Sequence, residues 1–202
     1  LSQITDHGDG THTAILTAPT NAETATVSGS LNGQPIGDTA TIEFVAGEPD
    51  RLIFFQQPTT TTAGVSINPA VVVHILDANN NLVTTATNPI ALAFENNAGG
   101  GTLGGTTTVS ASGGVATFSN LFINTAANGY TLRAEDSFLT PAVSNAFNIS
   151  PGNASQLTIL QQPTNTMPGQ VISPSISVRI EDALGNLVES ATLNVQVALL
   201  ND

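Results

Sequence analysis

Oxygen-bearing side chains at alternate positions are the first candidates for chemistry in this sequence. The run Asp77-Ala78-Asn79-Asn80-Asn81 spaces carboxylate and amide oxygens as a calcium-binding loop would. A second copy further along the chain, Asp182-Ala183-Leu184-Gly185-Asn186, keeps only the two ends of this pattern. A turn explains both copies, with the Asp bonding nearby backbone amides and Asn80 or Gly185 adopting a positive φ. We therefore predict a turn, and keep Asp77 as the alternative calcium ligand.

A second calcium site is conceivable where two domains would meet. Glu48 and Asp50 lie in a predicted linker, and Glu135 and Asp136 lie in a loop that could supply further carboxylates. One period later, the positions of the linker pair are occupied by Asn153 and Ser155. Because the pattern does not repeat, this site is the less favoured interpretation of the four acidic residues.

Other site chemistry finds little support in the sequence. There is no Cys or Lys, and no nucleophile elbow surrounds any Ser. His7 and His12 adjoin a polar turn without a third ligand at suitable spacing. The glycine-rich run from Gly99 to Gly105 lacks the Lys and the helix of a phosphate loop, and is interpreted as a flexible sheet-crossing loop. We expect no enzyme activity and no cofactor other than calcium.

The charge of the chain limits its partners. Fifteen acidic residues face only three basic ones, and the net charge is -12. Such a balance argues against binding to nucleic acid or to an anionic membrane surface, and it favours solubility. No signal peptide or membrane-spanning run is recognisable, so the sequence is interpreted as a piece of a longer secreted protein.

The elements that position these residues occur twice. The stretch from Gln56 to Asn97 returns from Gln161 with a constant offset of 105 residues, and about half of its positions are identical. A period of this length is too long for a solenoid and suits one small domain. The sequence thus predicts a tandem array: the C-terminal half of a domain in residues 1–47, a complete domain in 48–152 and the N-terminal half of another in 153–202. Short linkers predict an extended array.

The repeat also predicts which side chains face the core. At Val71, Val73 and Ile75 the second copy carries Ile or Val, whereas at Val72, His74 and Leu76 it carries Ser, Arg and Glu. Alternate residues of a strand point to opposite faces. The first three residues are therefore predicted to face the core, and the second three to face solvent, with His74 a surface residue and not a metal ligand.

Short apolar runs separated by turn residues predict an antiparallel sandwich of about seven strands per domain, with almost no helix. Tyr130 follows Asn128-Gly129 at the start of a strand, where its hydroxyl could bond to the backbone upstream as a tyrosine corner. The predicted strands are 11–17, 24–30, 39–45, 52–57, 70–76, 90–95, 106–110, 115–122, 130–135 and 142–149.

Two groups of motifs carry a family resemblance. The run from Thr5 to Thr17, followed by Ala25-Thr26-Val27 and Ile42-Glu43-Phe44, resembles the C-terminal half of the bacterial immunoglobulin-like domains of invasin and intimin. The runs Gly114 to Leu121 and Gly129 to Ala134 resemble the same class. One departure is His12, where the family usually has Tyr. The resemblance implies immunoglobulin-like sandwiches of an extracellular bacterial surface protein.

Three functions remain open at this point. The favoured one is a structural stalk or spacer in a repetitive adhesin, whose partners are the neighbouring immunoglobulin-like domains. The second is a module that binds a host or cell-surface receptor through loop residues such as Phe138, Leu139 and Arg133. The third is a filament subunit, in which half-domains of adjacent chains complete one another. None of the three predicts membrane insertion in this segment.

Overall fold

The computed structural model describes residues 4–198 of the chain. Every regular element in that range is a β-strand, and almost all strand pairs are antiparallel. The sequence favours this result, because short Val, Ile and Thr runs between Gly, Pro and Asn suit strands joined by turns. The predicted all-β sandwich class is confirmed. Nowhere in the described range is there a helix long and apolar enough to cross a bilayer.

The N-terminal segment, residues 4–47, contains two hairpins. In the first hairpin, β1 (Ile4–Asp6) pairs with β2 (His12–Ala14). In the second, β3 (Glu23–Leu31) pairs with β4 (Gln34–Phe44).

These strands differ from the predicted ones in three ways, the first being that the strand predicted over 11–17 is only His12–Ala14. The strand β1 was not predicted, and β4 begins at Gln34 instead of Thr39. The early start of β4 arises from the Asn32-Gly33 turn, in which both residues have a positive φ and Leu31 pairs directly with Gln34. Such a two-residue turn lets pairing begin at once on both sides.

The central segment, residues 48–152, contains two main sheets. The smaller sheet has the order β11-β7-β5, and its strands are β5 (Arg51–Gln56), β7 (Val71–Leu76) and β11 (Val115–Phe118). The larger sheet has the order β10-β8-β13-β15-β6, with a short sixth strand on β13. Its members are β6 (Thr61–Thr62), β8 (Pro89–Asn96), β10 (Thr108–Ser110), β13 (Ala127–Glu135), β14 (Ala142–Val143) and β15 (Phe147–Ser150).

Two predicted strands of this segment are divided. The one predicted from Val115 to Phe122 ends at Phe118, and a separate β12 (Phe122–Ile123) follows. The one predicted from Ala142 to Ile149 is broken at Ser144, whose hydroxyl accepts a hydrogen bond from Leu132 N. The broken strand becomes β14 and β15, which pair with different parts of the same neighbour.

The glycine-rich run from Gly99 to Gly105 is not the flexible loop that the sequence predicts. It contains β9 (Leu103–Gly104), which pairs with β12. A Cβ on Gly99 would collide with the hydroxyl of Tyr130, and a Cβ on Gly105 would collide with the carbonyl oxygen of Asn120. Gly99 and Gly105 therefore allow close packing that a larger residue at either position would prevent.

One hydrophobic core lies between the two main sheets. Its buried members fall between Leu52 and Ile149, and its largest fully buried side chains include Tyr130, Phe118 and Leu132. The core contains aliphatic residues from both sheets, which is the arrangement expected of a two-layer sandwich.

The orientation predicted for the side chains of β7 is confirmed for the residues that face the core and is wrong for the last residue of the strand. Val71, Val73 and Ile75 are fully buried, as the repeat predicts. His74 is half-buried on the outer face, but Leu76 is only 6% exposed instead of solvent-facing. Leu76 forms a bridge with Leu82, so the chain folding back after the Asp77 turn covers this end of the strand.

The C-terminal segment, residues 153–198, contains one hairpin. It pairs β16 (Gln156–Gln161) with β17 (Ser177–Glu181), as β5 pairs with β7 one period earlier. Isolated bridges at Leu187 and Leu82 repeat the same local topology. The domain boundaries at residues 47 and 152, and the number of repeats, stay predictions from the sequence.

Candidate functional site

The turn that begins at Asp77 is held by its own carboxylate. Asp77 Oδ1 accepts hydrogen bonds from the backbone amides of Asn79 and Asn81, each at 2.9 Å. Asp77 Oδ2 accepts from Gly47 N at 2.8 Å and from Asn81 Nδ2 at 2.9 Å. Two donors on each oxygen nearly fill the lone-pair sites of a carboxylate. The side chain therefore ties the turn to the linker that precedes β5.

The turn at Asp182 repeats this geometry. Its Oδ1 accepts from Leu184 N at 2.8 Å and from Asn186 N at 2.9 Å. Its Oδ2 accepts from Gly152 N at 2.8 Å and from Asn186 Nδ2 at 2.9 Å. The side chains of residues 79 and 184 differ, but only their backbone amides take part. The repeat therefore keeps Asp, Asn and the linker Gly, and leaves the middle of the turn free to vary.

The hydrogen bonds lower the pKa of both aspartates. The pKa of Asp77 falls from 3.8 to about 2, chiefly because the Asn81 side chain donates to the ionised form, with further help from the surrounding amides. For Asp182, burial is the largest influence and would raise the pKa. The donors from Asn186, Gly152 and Leu184 outweigh that burial and also hold this pKa at about 2.

The predicted turn conformations are confirmed. Asn80 has a φ of 71° and Gly185 a φ of 83°, at equivalent positions of the two turns. Asn and Gly are the residues that adopt this region most readily.

The calcium candidates are not brought together. Among residues 4–198, no three His, Asp or Glu side chains gather in a way that could hold a metal ion. Asp77 is surrounded by four donors, which leaves its oxygens little capacity for a cation. Asp50 pairs with Arg51 at 3.2 Å, Glu135 pairs with Arg133 at 3.3 Å, and Asp136 caps the amide of Phe138. Glu48 is exposed to solvent.

Tyr130 makes the predicted tyrosine corner. Its ring is fully buried, and its hydroxyl donates to the carbonyl oxygen of Thr125 at 2.9 Å. Burial raises the pKa of the phenol. The contact fixes the loop between β12 and β13, because a buried hydroxyl without a partner would be costly.

The loop residues proposed for receptor binding differ in their exposure to solvent. Phe138 is 90% exposed, whereas Leu139 is only 7% exposed and belongs to the core. Arg133 lies between Glu95 at 3.6 Å and Glu135 at 3.3 Å. Leu139 is thus a structural residue, and Phe138 alone presents a large apolar side chain to solvent from this loop.

The three histidines have local roles. His7 Nε2 lies 3.0 Å from the hydroxyl of Thr13, and His12 lies 3.7 Å from Asp6 in the same hairpin. His74 stacks on Phe55 with ring centroids 4.2 Å apart, and its partial burial lowers its pKa. The stacked pair lies on the outer face of the sheet, and that His74 is not a metal ligand stays a prediction.

Comparison with known proteins gives one family match. Residues 1–47 match the family model described as Invasin, domain 3. This match supports the resemblance to invasin-type immunoglobulin-like domains that the motifs of this segment suggest. No curated protein matches the sequence.

Two solved structures are weakly similar to part of this chain. A glycosyl hydrolase family 2 member from Bacteroides cellulosilyticus is 13% identical over 67% of this chain and 18% of its own, with a TM-score of 0.43. The apo structure of Bacteroides uniformis beta-glucuronidase 3 is 18% identical over 60% of this chain and 16% of its own, with a TM-score of 0.37. This chain thus spans less than a fifth of either protein, and similarities this low do not bear on its function.

Sequence reasoning missed that Gly47 and Asn81 act together with Asp77. The available signal was repetition, because Gly47 returns as Gly152 and Asn81 as Asn186 while the residues between them change. The sequence comparison identifies the Asp and Asn that both turns keep, but the linker Gly lies 30 positions before each Asp and carries no side chain that would mark it.

Proposed function

We propose that this chain is a spacer segment of a repetitive bacterial cell-surface adhesin, built from immunoglobulin-like domains placed end to end. The carrying observation is that both connections between segments are built alike. Gly47 N bonds to Asp77 and Gly152 N bonds to Asp182, each at 2.8 Å. Linkers that are anchored in the same way at each junction suit a spacer, which must hold its two ends a fixed distance apart.

The exposed surface of the chain supports an extended arrangement. A compact monomer of this mass is expected to expose about 8,900 Å² of accessible surface. This chain has a mass of 20.6 kDa and exposes 13245 Å². Much of the excess lies in the N-terminal and C-terminal segments, whose residues are mostly exposed, and it fits segments that share little surface with one another. The invasin match over residues 1–47 supports an adhesin and a location outside the cell.

A receptor-binding module is the second candidate, and Phe138 is the observation that favours it. An aromatic side chain 90% exposed at a loop tip is a common anchor in protein interfaces. Arg133 is flanked by the carboxylates of Glu95 and Glu135, which offset its positive charge and reduce its attraction for an acidic partner. A filament subunit with complementary half-domains stays a prediction.

An adhesion assay separates the two candidates. Beads coated with the chain are presented to host epithelial cells, and the wild type is compared with Phe138→Ser and Arg133→Ala. A spacer gives no saturable binding, and neither substitution changes the count of attached beads. Saturable binding that Phe138→Ser abolishes, with the fold intact by circular dichroism, would replace the spacer with a receptor-binding role.

A further inference from the structure

We propose that Asn81 and Asn186 are docking residues that join each domain to a backbone loop of the domain before it. This inference rests on the spacer function only in that both require neighbouring domains. It identifies the surface through which neighbouring domains bind one another. The occupant of that surface is the next domain of the same chain.

The first junction shows a two-way hydrogen bond across segments. Asn81 Nδ2 donates to the carbonyl oxygen of Thr20 at 2.8 Å, and Asn81 Oδ1 accepts from Ala22 N at 2.9 Å. Thr20 and Ala22 belong to the N-terminal segment, just before β3, whereas Asn81 belongs to the central segment. One amide group therefore satisfies a donor and an acceptor of a loop about 60 positions earlier in the chain.

The second junction repeats the arrangement. Asn186 Nδ2 donates to the carbonyl oxygen of Asn124 at 2.8 Å, and Asn186 Oδ1 accepts from Ala126 N at 2.8 Å. Asn124 and Ala126 lie just before β13, which is the strand of the central segment that corresponds to β3. The distances at the two junctions agree to within 0.1 Å.

The orientation of each Asn side chain is set before it meets the loop. Asn81 Nδ2 also donates to Asp77 Oδ2 at 2.9 Å, and Asn186 Nδ2 donates to Asp182 Oδ2 at the same distance. A carboxylate can only accept, so it fixes which end of the amide carries the donors. The carboxylate thus points the oxygen of the Asn at the N–H of the neighbouring segment.

The receiving loop is recognised through backbone atoms alone. Its residues are Thr20 to Ala22 at one junction and Asn124 to Ala126 at the other, and the carbonyl is supplied by Thr in one case and Asn in the other. A loop of the right shape is sufficient, whatever its side chains. The same docking residue can therefore serve every junction of an array whose domains have diverged in sequence.

The central segment carries both halves of the contact. It presents Asn81 towards the preceding segment and the loop from Asn124 to Ala126 towards the following one. At the second junction the loop is held by the Tyr130 hydroxyl, and Gly64 lies so close to Leu184 that an added Cβ would be 2.9 Å from its Cδ1. A unit with a docking residue at one end and a receiving loop at the other can be chained in one direction only.

Pulsed electron paramagnetic resonance on the full chain tests the docking contact. The chain has no native Cys, so nitroxide pairs can be placed at exposed serines by substitution to Cys. Ser28 with Ser110 spans the first junction, and Ser110 with Ser175 spans the second. The wild type is expected to give one narrow distance distribution for each pair.

Two matched substitutions locate the effect. Asn81→Asp places a carboxylate oxygen against the carbonyl of Thr20, and is expected to shift and broaden the first distribution only. Asn186→Asp is expected to do the same to the second distribution only, so each variant is the control for the other. Ala22→Pro removes the N–H that donates to Asn81 without altering the central segment, and covers the case in which Asn81→Asp disturbs its own turn.

The outcomes decide between docking and a purely local role for the asparagines. Broadening of the first distribution in both Asn81→Asp and Ala22→Pro supports the contact. Wild-type widths in Ala22→Pro, or a broad distribution in the wild type itself, would overturn it. Neither result decides the spacer function, which the bead assay tests separately. A chain can act as a spacer on a cell surface without rigid junctions.

Discussion

Truncating Val73 to Ala should destabilise the central segment by about 2–3 kcal/mol. Val73 is fully buried in β7 between the two sheets. Losing two buried carbon groups costs roughly 1.6 kcal/mol at about 0.8 kcal/mol each. An unrelaxed cavity of roughly 40 Å³ adds about 1 kcal/mol at ~24 cal/mol per Å³.

Urea unfolding followed by tyrosine fluorescence measures this change directly. Tyr130 is the only Tyr, there is no Trp, and its ring is buried in the same core. Val143→Ala is the matched control, because Val143 is 50% exposed and should lose less than about 1 kcal/mol. His74→Ala should also cost little. A loss at His74 or Val143 that exceeds the loss at Val73 would refute the facing inferred from the repeat.

Three further outcomes are expected. The pKa values of Asp77 and Asp182 are about 2 in the fold against 3.8 ordinarily, so their stabilising effect is complete above about pH 5 and is lost as the pH falls through about 2. Urea titrations at several pH values should show this slope, and Asp77→Asn should reduce it. Tyr130→Phe should cost about 1–2 kcal/mol by leaving a carbonyl without its donor, measured by thermal unfolding in circular dichroism. Gly105→Ala should lower the melting temperature far more than Gly100→Ala, because both have a positive φ but only Gly105 lies against backbone.

Much of the fold could be predicted from the repeat, because two copies reveal which positions tolerate change. The burial of Val73 and the turn at Asp77 followed from that comparison. The burial of Leu76 did not, because it depends on the chain that folds back over the strand end. Pairing of Leu103 with Ile123 was also hidden, since glycines that serve close packing look the same in sequence as glycines that serve flexibility.

The contacts across the junctions could not be predicted for a different reason. The receiving atoms are backbone groups of Thr20 and Ala22, and of Asn124 and Ala126, so no side-chain pattern marks them. Recognition of this kind leaves a trace only on the side that carries the Asn.

Small-angle X-ray scattering on the full chain tests the central claim, that anchored linkers hold these segments end to end. Both linkers are fixed through Gly47 and Gly152 to the aspartates of the following segment. The account predicts an elongated particle, with a pair-distance distribution that has an early peak and a long tail at every protein concentration. A symmetric distribution typical of a compact, folded-back particle of 20.6 kDa would contradict it.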